Sequence, residues 1–294
     1  MEIGWILPKS SPLTYAVVQL EEFVKRNGWS PSLVLAVDAQ YTVEPFLNPV
    51  HGLGIPVLGR VASNRVFFLP SPPYSGVGRL PVRGRKIKLN DARTLPTIDV
   101  KDEWEFAGGG HIEVSRWDNI RMRAWPGQRL ALYRVIEYKA DGQPRYKRPL
   151  WLIFVPASDE MGLPTPREAQ AIYEERFSVE HSIRFMKGDL GLTCGQFNSV
   201  EAEGRVQVWV EMVATTYWFL WALRSVAETE REKLPGWWRR GKLTPGAIRR
   251  LAVGLLLSLG WSKPEPKPRG KSAGRVEGTT CEPRKQFKAY RKAA

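Results

Sequence analysis

The first sixty residues alternate between short apolar runs and longer stretches in which apolar residues recur every three or four positions. Short apolar runs are typical of buried strands, and the longer spacing is typical of helices. Strands are predicted at 3–7, 33–37 and 55–61, and helices at 13–27 and 43–52. Because strands that alternate with helices usually pair in parallel, this part of the chain predicts a parallel α/β sheet.

Between residues 62 and 149 the pattern changes to alternating polar and apolar positions. Proline and glycine interrupt the start of this region, and four strand-like runs follow: EWEFA, HIEVSRW, IRMRAW and LALYRVIEY, the last before an Asp141-Gly142 turn. Alternation with period two is typical of half-buried strands joined by hairpins. We predict that 62–149 is an all-β insertion and that WLIFVP, at 151–156, returns the chain to the α/β core.

From residue 166 to about 260 the spacing is helical. The stretch 206–226, VQVWVEMVATTYWFLWALRSV, looks like a membrane span, but it contains Glu211 and is closely flanked by Arg205 and Arg224. A buried helix with a Trp and Tyr packing face is therefore the better interpretation. The predicted organisation is a first core part (1–61), a β-rich insertion (62–149), a second core part with C-terminal helices (150–261) and a basic disordered tail (262–294).

The composition also indicates a class of binding partner. The chain has a formal net charge of +14 and a pI near 9.9, and a protein this basic most often binds a polyanion such as nucleic acid. Its two cysteines have no metal-site or disulfide spacing, and the N-terminus lacks a signal-peptide pattern. We therefore expect a cytoplasmic, nucleoid-associated protein without a membrane partner.

The segment YEERFSVEHSIRFMK, residues 173–187, carries the most specific chemical signal. On a helix spanning 172–190, the apolar side chains form one stripe, made of Ile172, Val179, Ile183, Met186 and Leu190. A narrow polar stripe lies beside it, made of Tyr173, Arg176, Glu180, Arg184 and Lys187. A partly hydrated glutamate flanked by cations suits metal binding or proton transfer. The alternative is a solvated face with Glu–Arg pairing at i, i+4.

The spacing Tyr-x2-Arg-x3-Glu-x6-Lys resembles the Tyr-Arg-Glu-Lys signature of a class of bacterial insertion-sequence transposases. These are DDE enzymes with a ribonuclease-H-like core and an all-β insertion. VLAVDAQY resembles the strand that carries their second aspartate, here Asp38, and 142 residues separate Asp38 from Glu180. GRVASNRVFFLPSPP also resembles the segment that follows that strand in one branch of the family. The resemblance covers roughly residues 1–260.

This resemblance implies an α/β fold with a ribonuclease-H-like core, in which Asp38 and Glu180 are catalytic and bind Mg²⁺ or Mn²⁺. Such ions take carboxylate oxygens and act in pairs on phosphodiester bonds. It also implies that Tyr173, Arg176 and Lys187 contact DNA. Apart from the resemblance, further DNA contacts are expected from basic residues whose charge attracts phosphate, namely Arg184 on the helix and Arg83, Arg85, Lys86 and Lys88 in the segment 79–93.

The match to the family lacks one acid. The first aspartate of the triad should precede Asp38 on the opening strand, but only Glu2, Glu21 and Glu22 lie upstream of Asp38. Met1 therefore corresponds to the third strand of the core, which would be N-terminally incomplete. With two carboxylates, metal binding should be weak or absent, and we expect that the chain alone neither cleaves nor joins DNA.

Several functions remain compatible with these residues. The first is a transposase-derived DNA-binding protein, whether a truncated remnant, half of a split enzyme or a repurposed version. The second is a non-catalytic nucleic-acid-binding subunit of a larger complex, and a third is a basic protein without a DNA role. Double-stranded DNA is the expected partner, together with a second copy or another polypeptide that completes the sheet.

Overall fold

The computed structural model describes residues 11–30, 32–74, 76–106, 109–195, 203–234, 236–239, 241–258, 260 and 261. The strand predicted at 3–7 and the tail predicted at 262–294 lie outside the described residues.

The described residues form a mixed α/β fold with one eight-stranded sheet, five longer helices and a helix of a single turn. The strands are β1 (Leu35–Val37), β2 (Val57–Val61), β3 (Val66–Phe68), β4 (Lys86–Lys88), β5 (Val100–Phe106), β6 (Gly110–Met122), β7 (Leu130–Tyr138) and β8 (Leu150–Val155). The helices are α1 (Pro12–Asn27), α2 (Glu44–Gly52), α3 (Pro166–Gly188), α4 (Glu203–Thr229), α5 (Gly236–Arg239) and α6 (Pro245–Ser258).

The sheet is mostly antiparallel, but the parallel pairing predicted for the first sixty residues is confirmed for β1 and β2. Its strand order is β1-β2-β8-β7-β6-β3-β4, and β5 also pairs with β6. Among the described strands only β1 and β2 pair in parallel, because α2 provides the crossover that a parallel pair needs. The strands that follow are joined without a helix, so they return beside one another in opposite directions.

Strand β6 contains two runs that the sequence pattern predicts as separate strands, HIEVSRW and IRMRAW. The strand runs through the first and into the second, ending at Met122, with a register shift between Trp117 and Ile120 where Asn119 has a φ of 57°. Such a bulge bends a strand without ending it. The first part of β6 pairs with β5, and its last residues pair with β3.

Both faces of the central strands are covered. On β8, Trp151 and Ile153 point into a core shared with α1 and α2, whereas Leu152 and Phe154 point into a core shared with α3. This division follows from the two-residue period of a strand. Strands from the predicted insertion belong to the same sheet as β1, β2 and β8, so they extend the core directly.

Helices α4 and α6 form two further apolar clusters beside the end of α3. On α4, Tyr217 and Leu223 are buried, but Trp218 is 52% exposed and Phe219 is 42% exposed. The prediction that this helix is buried is therefore correct for one face only, because α3 and α6 contact a single side of it. No helix in the described part of the chain is long and apolar enough to span a bilayer.

Candidate functional site

Asp38 follows the last residue of β1 and begins a single 3₁₀ turn over Ala39–Tyr41. The buried Thr42 holds this turn against β2, since its Oγ1 lies 2.9 Å from the carbonyl oxygens of both Ala39 and Arg60. Arg65 donates a 2.6 Å hydrogen bond to the carbonyl oxygen of Thr42. The position of Asp38 is thus fixed by the neighbouring strand.

Gly59 allows this close packing. It pairs with Val37 across β1 and β2, and a Cβ at residue 59 would lie 2.3 Å from Thr42 Cγ2 and 2.7 Å from Val37 Cγ2. A side chain there would push the Asp38 turn away from β2. The two-residue period puts Asp38 on the same face as Val34, which packs in the α3-side core.

Helix α3 starts on that face with a capping box. The Thr165 hydroxyl accepts from the Glu168 N–H at 3.3 Å, and the Glu168 carboxylate accepts from the Thr165 N–H at 2.8 Å. The latter bond lowers the pKa of Glu168. The preceding carbonyl oxygen, that of Pro164, accepts hydrogen bonds from Tyr133 and Arg116 of the sheet, at 2.8 and 3.0 Å. The start of α3 is therefore anchored both locally and to the strands.

Tyr173 is the member of the predicted polar stripe that faces the sheet, and it is only 2% exposed. Burial raises the pKa of its hydroxyl; the Arg176 guanidinium opposes that rise, and the Asp38 carboxylate adds to it. Arg176 lies over the rings of Tyr173 and Phe177, at 5.2 and 5.1 Å from the ring centroids. The guanidinium thus stacks on aromatic faces instead of extending into solvent.

Glu180 forms an ion pair with Arg176, with 2.9 Å between Oε1 and Nη2. The Glu180 side chain is 48% exposed and that of Arg176 only 15%. Burial disfavours the charged guanidinium, but Tyr173, Asp38 and Glu180 outweigh burial and raise the pKa of Arg176. The i, i+4 pairing that the sequence offered as an alternative for Glu180 is therefore present.

The structure brings Asp38 to α3. Its carboxylate is close enough to shift the pKa of both Tyr173 and Arg176, although these residues lie more than 130 positions away in the chain. Arg184 and Lys187 are exposed further along the same helix and, with Glu180, border an open depression of about 550 Å³. Asp38 thus lies near Tyr173 and Arg176 of the predicted stripe, whereas Glu180, Arg184 and Lys187 follow on the exposed part of the same helix.

The apolar stripe predicted on α3 is only partly buried. Met186 is fully buried, but Val179 is 50% exposed and Ile183 is 38% exposed. The first half of α3 packs on the sheet through Ala169 and Tyr173, and its end packs on α4. Between these two contacts the helix crosses a gap, so the side chains in its middle lie open to solvent.

A cavity of about 720 Å³ beside Tyr173 contains residues that sequence reasoning missed. It lies between α3 and strands β2, β7 and β8, and its lining includes exposed side chains suited to a nucleotide strand: Arg60, Tyr146, Arg148 and Phe177. Arg60 could have been suspected, since it is the one charged residue in the buried-strand run IPVLGRV. Arg148 and Tyr146 carry no such signal.

The basic residues predicted to contact DNA in 79–93 lie on a different part of the sheet. Lys86 and Lys88 project from β4 on the side opposite the buried Ile87, and Arg85 is exposed beside them. Arg83 is exposed and lies 5.6 Å from the centroid of the Phe68 ring. Because β4 and β1 are at opposite ends of the strand order, these cations form a basic surface separate from Arg184 and Lys187 on α3.

Asp38 and Glu180 are the two residues expected to hold divalent ions. Asp38 and Glu180 supply two carboxylates, and Glu180 is engaged by Arg176. Within the described ranges, no cluster of three or more His, Cys, Asp or Glu side chains could hold a metal ion. Mg²⁺ is commonly held by one or two carboxylates together with water and substrate phosphate, so Glu180 would have to leave Arg176 to take part.

Compared with known protein families and with curated proteins, the sequence gives no match. The function therefore has to be argued from the residues of the site.

Proposed function

We propose that this chain is a transposase-derived DNA-binding protein, the C-terminal part of a DDE catalytic domain with a ribonuclease-H-like core. In this proposal it binds duplex DNA along α3 and does not cleave or join it alone. The observation that supports the proposal best is the packing of α3 against β1 and β2, which puts Asp38 within electrostatic range of Tyr173 and Arg176. A helix that carried only a solvated ion pair would not need to lie beside Asp38.

The charge around α3 supports phosphate binding. Arg184 and Lys187 are exposed on the helix, and Arg60 and Arg148 are exposed at the neighbouring cavity. Contacts of this kind give affinity that falls with salt and carry little sequence information. The exposed ring of Phe177 offers a stacking surface beside these cations.

The donor set argues against strand cleavage by this chain. In-line displacement at a phosphodiester needs two metal ions held on both sides of the reacting phosphate. Asp38 and Glu180 alone leave most coordination positions without a protein ligand, and Arg176 competes for Glu180. Magnesium or manganese would supply the chemistry if a further acid joined Asp38 and Glu180.

Replacing Arg184 and Lys187 together by glutamine should weaken binding to a duplex by about tenfold at low salt and reduce the slope of log K against log salt by about 2. Fluorescence anisotropy with a labelled duplex at several salt concentrations measures both quantities. The matched control replaces Lys25 and Arg26 of α1, which packs on the opposite face of the sheet. Equal losses in the two double variants would contradict binding along α3.

The proposal that the chain alone does not cleave DNA is tested with supercoiled plasmid and Mg²⁺ or Mn²⁺. Wild-type protein and Glu180→Gln should both leave the plasmid uncut while retaining duplex affinity. Metal-dependent nicking by wild type that disappears in Glu180→Gln would show that the chain is a complete enzyme.

A non-catalytic subunit of a larger nucleic-acid complex is the second candidate. The pairing of Glu180 with Arg176 favours it, since an acid held in an ion pair needs no metal to be stable at a surface. In that role another polypeptide, or a second copy, would complete the sheet beside β1, which lies at one edge of the sheet formed by the described strands. Glu180→Gln should then leave assembly of the complex unchanged.

A further inference from the structure

One row of side chains crosses the sheet from β4 to β6 on the face that also carries α3. The strand register places Lys86 opposite Phe68 and Phe68 opposite Arg121. The neighbouring Ile87 and Phe67 point to the other face and are buried there, so the two-residue period puts the row on the α3 side. Among the described residues, the core beneath α3 includes none from β3 or β4. The described helices therefore do not bury this row.

Arg129 extends the row across the hairpin between β6 and β7. Ile120 pairs with Leu130, so Arg121 and Arg129, each one residue nearer the turn, lie side by side. Like charges that face each other across an antiparallel pair are destabilising. Burial lowers the pKa of the Arg121 guanidinium; the Asp159 carboxylate opposes that change, and the Arg129 guanidinium adds to it. Two guanidinium groups are thus held close together at an energetic cost.

Neither guanidinium has an acidic partner within the described part of the chain. The Arg121 side chain makes no hydrogen bond or ion pair there, and its Nη1 is buried without an acceptor. Arg129 donates from Nη2 to the Met161 carbonyl oxygen at 3.2 Å, and its Nε is buried without an acceptor. Burying a cation is costly unless it is paired. An anion bound from outside would supply the missing partner.

We propose that Arg121 and Arg129 together bind a phosphate group, with Lys86 as a further cation of the same row. Guanidinium groups donate paired N–H bonds to phosphate oxygens. Nε and Nη2 of Arg121 and Nη1 of Arg129 are neither buried nor bonded among the described residues, so they remain free to donate. The phosphate belongs either to a DNA backbone or to a free phosphate compound. Only the first source rests on the proposed function.

Thermal unfolding of the full chain, free of DNA, tests the site with inorganic phosphate against chloride at equal ionic strength and pH. Phosphate at about ten times its Kd should raise the Tm of the wild type by about 3 °C. Arg121→Gln should lose at least half of that shift. The matched control is Lys139→Gln, which removes one exposed charge beyond the other end of β7 and should keep the shift. If Arg121→Gln does not fold, Arg121→Lys, which lacks the paired N–H groups, should show the same loss.

Fluorescence anisotropy with a labelled duplex distinguishes the two sources of phosphate. For a backbone phosphate, Arg121→Gln should weaken duplex binding about threefold at low salt and reduce the slope of log K against log salt by about 1, whereas Lys139→Gln should change neither. Loss of the phosphate shift without loss of duplex affinity would assign the site to a free phosphate compound.

The proposal is overturned if Arg121→Gln behaves like Lys139→Gln in both experiments, even where the wild type binds the duplex. A wild type that binds no duplex would contradict the proposed function instead. In that case the thermal experiment alone decides whether Arg121 and Arg129 hold a phosphate.

Discussion

Two tyrosines at the interface between the sheet and α3 have hydroxyl groups perturbed mainly by burial. Tyr133 is fully buried and donates to the Pro164 carbonyl oxygen at 2.8 Å, and Tyr173 lies beside the stacked Arg176. Burial raises the pKa of both hydroxyl groups above the ordinary value. The folded state therefore holds these phenols neutral at pH values where an unfolded chain would ionise them.

This difference should lower stability in alkali. Each tyrosine contributes fully to the free energy of unfolding below the unfolded-state pKa of about 10. Above that pH the free energy of unfolding declines by about 1.4 kcal/mol per pH unit for each tyrosine held neutral in the folded state. Tyr133→Phe should cost about 1 kcal/mol at pH 7 for the lost hydrogen bond but make the decline above pH 10 shallower. Urea unfolding from pH 7 to 11 measures both, with Tyr146→Phe at an exposed position as control. Identical alkaline slopes in the two variants would contradict the role of Tyr133.

At the scale of elements, α3 depends on its first turn. Thr165 and Glu168 satisfy each other's backbone N–H groups, and Pro166 at the first turn needs no hydrogen-bond acceptor. The same turn places Ala169 and Tyr173 against the sheet. A weakened cap would therefore loosen the element that carries the candidate site.

Thr165→Ala should lower the free energy of unfolding by about 1 kcal/mol, because it leaves an N–H of the first turn without its acceptor. Thr165→Ser should restore most of that loss, since serine supplies the same oxygen. Chemical denaturation followed by circular dichroism gives the values. Thr229→Ala, at the exposed end of α4, provides the comparison. A loss at Thr165 no larger than that at Thr229 would show that the cap adds nothing.

Local patterns anticipated the elements better than their arrangement. The helix predicted at 13–27 is α1 (Pro12–Asn27), and the run LALYRVIEY coincides with β7 (Leu130–Tyr138). Both depend on periodicity within one segment. The antiparallel pairing of β2 with β8 joins residues nearly a hundred positions apart, and no local pattern specifies it.

In the candidate site, too, local spacing predicted some residues, whereas others depend on how distant segments pack. Helical spacing places Tyr173, Arg176 and Glu180 on one side of α3, so this part was accessible from the sequence. The contributions of Tyr146 and Arg148 to the neighbouring cavity depend on where β7 and β8 lie relative to α3. The exposure of Val179 likewise depends on the gap between the sheet and α4, which the apolar spacing does not reveal.

At the scale of the whole molecule, the described cations that were predicted to contact DNA lie on two surfaces. One surrounds the middle of α3, and the other lies on β4 at the far end of the strand order from β1. A net charge of +14 attracts a polyanion from any direction, but two basic surfaces can hold one duplex at two places. Their contributions should add, because separated sites couple weakly.

Replacing Lys86 and Lys88 by glutamine should reduce the salt slope of duplex binding by about 2, and combining this change with the Arg184 and Lys187 replacements should reduce it by about 4. The slope is measured by anisotropy titrations at about 50 to 300 mM salt, where counterion release controls the affinity. An unchanged slope in the Lys86 and Lys88 variant would restrict DNA to the α3 surface.

Helix α3 runs from Pro166 to Gly188 without an internal glycine or proline. Its middle bears Glu180, and its end rests on α4 through Met186. Because kinks occur mostly at proline or glycine, α3 has no obvious kink site that would absorb a displacement of one of its ends. A displacement of α4 against the sheet would therefore be carried along α3 and would change the position of the Glu180 carboxylate relative to Asp38.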